Sequence, residues 1–249
     1  MEADSLLAVL HEAADAVTAV LGDLDDWGPA GTRAGQYRSD LAADAAAVAV
    51  LHAAGLGVLS EESGLHDPER AVLAVLDPLD GSTNAAHGIP WYATSVCALD
   101  AAGAVAAVVV NQASGVRYEA SRGGGARRDG RPIRTGSCED LASALVGVNG
   151  LPPRHLGWRQ FRALGAAALD LCAVADGTLD GYVDCVVDSH GPWDYLGGML
   201  VCMEAGARVV DASGRPLVAR GHGDRRSPVA AGSGALLAEL TAARATFGA

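Results

Sequence analysis

Between Gly57 and Gln112 the chain sets down four short apolar runs, "GVLSE", "AVLAVLDP", "ATSVCALD" and "AVAAVVVNQ", each bounded by Gly, Asp or Asn. Runs this short, rich in valine and alanine, predict strands, and "DAAG" between the last two predicts a hairpin turn. Ahead of them, Leu6, Leu7, Leu10, Ala14, Val17 and Leu21 recur near helical spacing and predict an amphipathic helix over 4–22. Residues 23–37, dense in Asp, Gly and Pro, predict a loop. A second helix is expected from Ser39 or Asp40 to a glycine stop at Gly55. The second half alternates again. Strands are expected at "SALVGVN", "DGYVDCVV", "ARVVD" and "PVAAG". Helices are expected from about Trp158 through "FRALGAAALDLCAVADG", at "WDYLGGMLVCMEAG", and at "GALLAELTAARAT". No repeat of fixed period and no low-complexity linker interrupts the 249 residues. The expectation is a mixed α/β chain, one domain with two lobes of about 1–135 and 136–249 meeting at a seam.

Composition narrows the function. Thirty acidic residues against 18 Lys and Arg give a formal charge of −12, and aromatics make up only 4% of the chain. Nucleic-acid binding wants a basic face and stacking platforms, so that class is set aside. A small anionic substrate is compatible only if cations intervene. The cysteines, at 97, 138, 172, 185 and 202, are odd in number and contain no C-x-x-C pair, the pattern of reduced thiols in a cytoplasmic protein. The N-terminus is acidic and lacks the basic flank of a secretion signal, and no apolar run reaches the ~18 residues of a membrane span. No membrane partner is expected.

One stretch concentrates the chemistry. In "VLDPLDGSTN", residues 75–84, Asp77 and Asp80 end an apolar strand, where α/β folds place their sites. Pro78 fixes the turn, Gly81 lets a helix start close by, and Ser82 and Thr83 fall in its first turn, a ready anion-binding corner. Carboxylates this close repel unless a proton or cation intervenes, and hard oxygen donors suit Mg²⁺. Alone, the stretch reads equally well as a helix cap and a turn. "LSEESG" breaks the tie, because it sets Glu61 at the end of another apolar strand. Asp194, in "HGPWDYLGG", is alone an ordinary acidic residue of a first helical turn. With the other two stretches it becomes a candidate ligand.

In order and spacing, "SEESG", "LDPLDGSTN" and "PWDYLGGMLVCMEAGARVVD" resemble the acidic strand end and the two signature motifs of the inositol monophosphatase family. The likeness runs from residue 38 to about 235. It implies a layered αβαβα sandwich, close to fructose-1,6-bisphosphatase in architecture. It also implies a Mg²⁺-dependent, often lithium-sensitive phosphomonoesterase, usually a homodimer, with two or three ions. Carried over by position, Glu61, Asp77, the Leu79 carbonyl, Asp80 and Asp194 are the implied metal ligands. Gly81 and Ser82 would hold the phosphate through their amides. Glu61 and Ser82 would orient the attacking water, with Ser82 standing where the family more often has threonine, and Asp80 completes the catalytic set.

On the alcohol side, the resemblance assigns Gly165 and Ala167 to close approach and Asp184 to the substrate hydroxyls, a shorter residue than the family's glutamate. The segment between Asp184 and Trp193 is slightly long, so Asp188 competes for that role. Arg38 and Asp40 resemble a segment that contributes to an optional third ion, although Ala42 replaces its threonine. His190 reads as a surface or capping residue before a substrate contact, and His87 equally as cleft edge or loop. Glu204 reads as support for its helix, and "SRGGGARRDGRP" as a turn region with a hairpin at Asp129-Gly130, since it lacks a P-loop ending. The expected activity is hydrolysis of a small phosphate monoester, inositol 1-phosphate first. Histidinol phosphate, fructose 1,6-bisphosphate and 3'-phosphoadenosine 5'-phosphate are the alternatives within the family. A non-catalytic metal-binding regulatory homologue is the alternative outside it.

Overall fold

The structure, a computed structural model, describes residues 2–32 and 35–248. Arg33 and Ala34, inside the expected loop, lie outside the described residues. Helices α1 (Ala3–Gly22) and α2 (Arg38–Ala53) precede β1 (Gly57–Ser60), β2 (Gly64–His66), β3 (Leu73–Asp80), β4 (Ala93–Asp100), β5 (Gly103–Asn111), β6 (Arg117–Ser121), β7 (Gly125–Arg128) and β8 (Arg131–Pro132). These strands form one eight-stranded sheet in the order β2-β1-β3-β4-β5-β6-β7-β8, with β1 and β3 parallel and the rest antiparallel. A five-residue helix, α3 (Ser82–Ala86), leaves the end of β3.

The second sheet, of order β10-β9-β11-β13-β12, is built from β9 (Leu145–Asn149), β10 (Gln160–Arg162), β11 (Gly181–Asp184), β12 (Arg208–Asp211) and β13 (Pro228–Ala231). Its helices are α4 (Ala167–Ala175), α5 (Pro192–Glu204) and α6 (Gly234–Ala245).

Packing arranges these into five layers. Leu6, Leu10, Val17 and Leu51 of α1 and α2 bury against Val58, Ala74, Leu76 and Val108 on one face of the large sheet. Leu171, Leu196 and Leu200 of α4 and α5 cover its other face, at Leu59, Val75, Cys97 and Val109, and also reach Tyr182 and Ala230 of the small sheet. Leu236 and Leu240 of α6 close the far side, on Val146, Val183 and Val229. The order is therefore αβαβα. Strands covered on both faces need apolar residues at every position, which is why β3, β4 and β5 read as almost unbroken apolar runs. By length and composition α1 is apolar enough to cross a membrane, and in this fold its apolar stripe is spent on the large sheet.

Close approach at α5 fixes the middle layer. A Cβ on Gly198 would stand 2.6 Å from Leu171 Cβ, and one on Gly197 would stand 2.5 Å from Ser95 Oγ. The pair lets α5 lie flat between α4 and the large sheet, one turn beyond Asp194.

One expected element is corrected. The helix foreseen from about Trp158 begins only at Ala167, because Gly165 takes a left-handed φ of 87° and Gln160–Arg162 pair parallel to β9 as an edge strand. The hairpin at Asp129-Gly130 forms as expected, both residues at positive φ, as a two-residue turn of this kind requires.

Candidate active site

Strand geometry explains how the carboxylates meet. Side chains alternate faces along a strand, so residues three apart, such as Asp77 and Asp80, should point oppositely. Here Asp77 pairs with Ser95 and Asp80 with Ala93, three steps on β3 against two on β4, which is a β-bulge at Pro78-Leu79. The extra residue turns Leu79 into the α1/α2 core and returns Asp80 to the face of α4, where its Oδ2 accepts the Ala168 amide at 2.7 Å. The Leu79 amide donates to Asp77 Oδ1 at 3.0 Å and locks the bulge.

Because β1 and β3 run parallel with Ser60 level with Leu76, the next residue, Glu61, emerges beside Asp77. Asp194 arrives from the first turn of α5, where its Oδ2 accepts the Gly191 amide at 2.6 Å. The ordinary capping role and the candidate ligand role thus fall on one residue. Oxygens of Glu61, Asp77 and Asp194 lie within 4.8 Å of one another.

Electrostatics marks the cluster as unbalanced without a cation. Burial, followed by the charges of Glu61, Asp80 and Asp194, holds Asp77 well above the usual carboxylate range. Burial and then Asp194 do the same to Asp80, against the Ala168 hydrogen bond. Asp77 Oδ2 is buried and has no hydrogen-bond partner among the described residues. A set of hard oxygen donors with an orphaned oxygen inside it fits a divalent ion such as Mg²⁺.

Two cavities flank the cluster. The mouth, about 260 Å³, is lined by Asp40, Glu61, Ser82, Trp193, His222 and Arg225. Trp193 stacks on His222, with ring centroids 4.9 Å apart, and lies under the Arg225 guanidinium, while His222 Nε2 donates to the Glu61 carbonyl at 3.1 Å. Gly81, at φ 85°, opens α3, and a Cβ there would press on Trp91 O at 3.0 Å and Gly165 O at 3.1 Å. Ser82 follows it into the mouth.

The inner cavity, about 80 Å³, is lined by Asp80, Asn149, Gly165, Ala167, Asp170, Tyr182 and His190 among others. Burial alone would lower His190, but its hydrogen bond to Asp194 and the charges of Asp194, Asp184 and Asp80 outweigh that and raise it to about 9. Asp184 is fully buried and does not line the cavity. Asp188 points away, into an ion pair with Arg215.

Other expected residues find local roles. Asp40 caps α2 by accepting the Tyr37 amide at 2.8 Å, and Arg38 pairs with Asp26. His87 Nδ1 bonds Thr83 O at 2.8 Å at the end of α3, the loop role. Glu204 accepts the amides of Gly123 and Gly125, pinning the β6–β7 turn. Sequence reasoning missed Asp170, Tyr182, Asn149, His222 and Arg225. Only Asp170 left a signal: it is the one charged residue in the apolar run "AALDLCAVA".

The inositol monophosphatase family matches residues 38–247. The inositol-1-monophosphatase of Rhizobium meliloti is 38% identical over 164 residues, 58% of this chain and 59% of that protein. This chain thus spans less than two thirds of that relative's length. The fructose-1,6-bisphosphatase/inositol-1-monophosphatase of Archaeoglobus fulgidus is 33% identical over 184 residues, 72% of this chain and 71% of that protein. The solved inositol monophosphatase of Anabaena shares the layered fold, with a TM-score of 0.82 at 26% identity over 98% of this chain and 96% of that one.

Proposed function

We propose that this chain, which belongs to the inositol monophosphatase family, is a metal-dependent phosphatase of small polyol phosphates, with inositol 1-phosphate the first candidate substrate. The observation that carries the reading is the meeting of Glu61, Asp77 and Asp194 around the orphaned Asp77 oxygen, with Asp80 alongside. Those four carboxylates and the Leu79 carbonyl would hold two or three Mg²⁺ ions. Bound there, the ions would act as Lewis acids that neutralise the phosphate and the developing alkoxide.

The chain's own groups supply position. Gly81 and Ser82 begin a helix, so their amides have no carbonyl one turn back to serve and would turn to phosphate oxygens. Glu61 and Ser82 face the same mouth cavity, where their side chains would orient a water for in-line attack. The alcohol would leave on the opposite side, into the inner cavity against Gly165 and Ala167. Trp193 and His222 form one wall of this mouth. The names carried by the Rhizobium and Archaeoglobus relatives support a polyol or sugar phosphate. The family resemblance extends the reading to a cytoplasmic homodimer inhibited by lithium.

The test is phosphate release from inositol 1-phosphate, histidinol phosphate, fructose 1,6-bisphosphate and 3'-phosphoadenosine 5'-phosphate, each with Mg²⁺ and with chelator. Chelator-sensitive turnover, greatest for inositol 1-phosphate, is expected. A dominant rate on another ester would move the substrate, and silence throughout would end the phosphatase reading.

A further inference from the structure

Two of the acidic residues reach the cluster from separate parts of the fold. Glu61 follows β1 in the large sheet, and Asp194 opens α5 in the middle layer. Among the described residues no backbone hydrogen bond joins the two segments, and a third element spans the gap between them.

That element is the connection from β12 to β13, residues 212–227. An irregular connection of this length is uncommon in a compact domain and is usually either functional or a disordered linker. This one is tied down along the start of α5. Arg226 and His190 exchange backbone hydrogen bonds at 2.9 and 3.1 Å, and the Leu217 carbonyl accepts Tyr195 Oη at 2.7 Å. Between these anchors the chain makes a tight turn that carries His222 to the mouth. The Asp224 amide donates to the Gly221 carbonyl at 3.0 Å, and the Gly221 amide donates to Asp224 Oδ2 at 2.8 Å.

His222 then touches both segments at once. Its ring lies on Trp193, the residue before Asp194, with centroids 4.9 Å apart, and its Nε2 donates to the Glu61 carbonyl at 3.1 Å. A carbonyl only accepts, so Nε2 is the nitrogen that carries the proton. Arg225 braces the arrangement: its Nη1 donates to the His222 carbonyl at 2.8 Å, and its guanidinium carbon lies 5.1 Å from the centre of the Trp193 ring. From the opposite side the Glu61 amide donates to the Leu76 carbonyl at 3.1 Å. Without His222, the Glu61 backbone would be held by β3 alone.

We propose that His222 is a positioning residue that clasps Glu61 to Trp193, with Arg225 as its brace, and so sets the spacing of the Glu61 and Asp194 carboxylates for a divalent ion. Groups that orient metal ligands change affinity by about 10–100-fold when they are lost. His222 acts through a backbone carbonyl and a neighbouring ring, not through a cluster carboxylate, so the effect belongs at the low end of that range. The proposal rests on the reading that the acidic cluster holds Mg²⁺.

The test is Mg²⁺ affinity without substrate, by calorimetry, beside the Mg²⁺ concentration that half-saturates phosphate release from inositol 1-phosphate. His222→Ala should weaken binding about tenfold and raise the half-saturating concentration by a similar factor, while the plateau rate changes by a smaller one. His222→Phe keeps a ring for Trp193 but has no donor for Glu61, and should weaken binding severalfold. His222→Gln keeps a donor, and should fall between the alanine variant and wild type. In chelator all four proteins should melt within about 2 °C of one another, because the side chain is exposed. A loop contact of purely structural value would lower melting in chelator and leave Mg²⁺ affinity alone. A wild type that binds Mg²⁺ and an alanine variant that matches it within about twofold would therefore overturn the proposal and leave the metal reading standing. A wild type that binds no Mg²⁺ would end both. If inositol 1-phosphate is not hydrolysed, the calorimetric affinities decide by themselves.

Discussion

Asp77→Asn should change the stability of this protein in a direction that depends on metal. With chelator present, Asp77 sits among carboxylates whose oxygens come within 4.8 Å. At an effective dielectric of about 20, two unit charges at that distance repel by about 3 kcal/mol. The protein escapes part of this by protonation, because burial and its neighbours already hold Asp77 well above the usual carboxylate range. The amide removes the charge, keeps an acceptor for the Leu79 amide, and turns an NH₂ donor toward its acidic neighbours. A gain of about 2–4 kcal/mol is expected at pH 8 in chelator, or roughly 4–16 °C in melting temperature for a chain of this size. In Mg²⁺ at about 100 times its dissociation constant, the wild type gains about 2.7 kcal/mol by linkage that the variant largely forgoes. The gap should therefore close or reverse. Thermal melts of both proteins, with chelator and with saturating Mg²⁺, measure it directly. A variant less stable than wild type in chelator, or a gap indifferent to Mg²⁺, would refute the reasoning.

Three further outcomes are expected. Asp80→Asn keeps side-chain volume and an acceptor for the Ala168 amide, so it should melt like a folded protein while phosphate release falls to background; wild-type turnover would remove Asp80 from the site. Burial, partly offset by the Trp91 hydrogen bond and then by the charge of His190, holds Asp170 up at about 7, so the folded state keeps a proton that the unfolded chain gives up at 3.8. Its contribution is complete below pH 3.8 and is lost as pH rises to about 7. It amounts to at most about 4 kcal/mol, and urea melts of Asp170→Asn should show a flatter pH dependence across that window. Gly198→Ala forces a Cβ to 2.6 Å from Leu171 Cβ, and should cost about 1–3 kcal/mol in urea unfolding while lowering turnover by shifting Asp194.

What sequence could say about this molecule followed the range of the interactions. The strands β3, β4 and β5 were legible because burial on both faces writes an apolar residue at every position. Glu61 and Asp80 were legible because each closes an apolar run, and Asp77 because it breaks the run that Asp80 closes; parallel pairing of β1 and β3 then brings Glu61 level with Asp77. The bulge that turns Asp77 and Asp80 to one face was not, since it is defined by pairing with β4. The short strands β6, β7 and β8, at one end of the large sheet, carry little periodic signal and are not legible in the sequence. The apolar content of "FRALGAAA" hides the left-handed Gly165, so the sequence pattern points to a start for α4 well ahead of Ala167. On the alcohol side, position suggested Asp184, but only the packing of Asn149, Ser189 and the Val186 amide reveals that it is enclosed and that Asp170 faces the space.

The most direct test of the whole account is phosphate release from inositol 1-phosphate as Mg²⁺ is titrated into wild-type protein and into Asp77→Asn. The account predicts turnover by the wild type that saturates with Mg²⁺ and vanishes with chelator, and none by the variant at Mg²⁺ concentrations that saturate the wild type. Equal turnover by the two proteins, or release by the wild type that chelator leaves untouched, would contradict it.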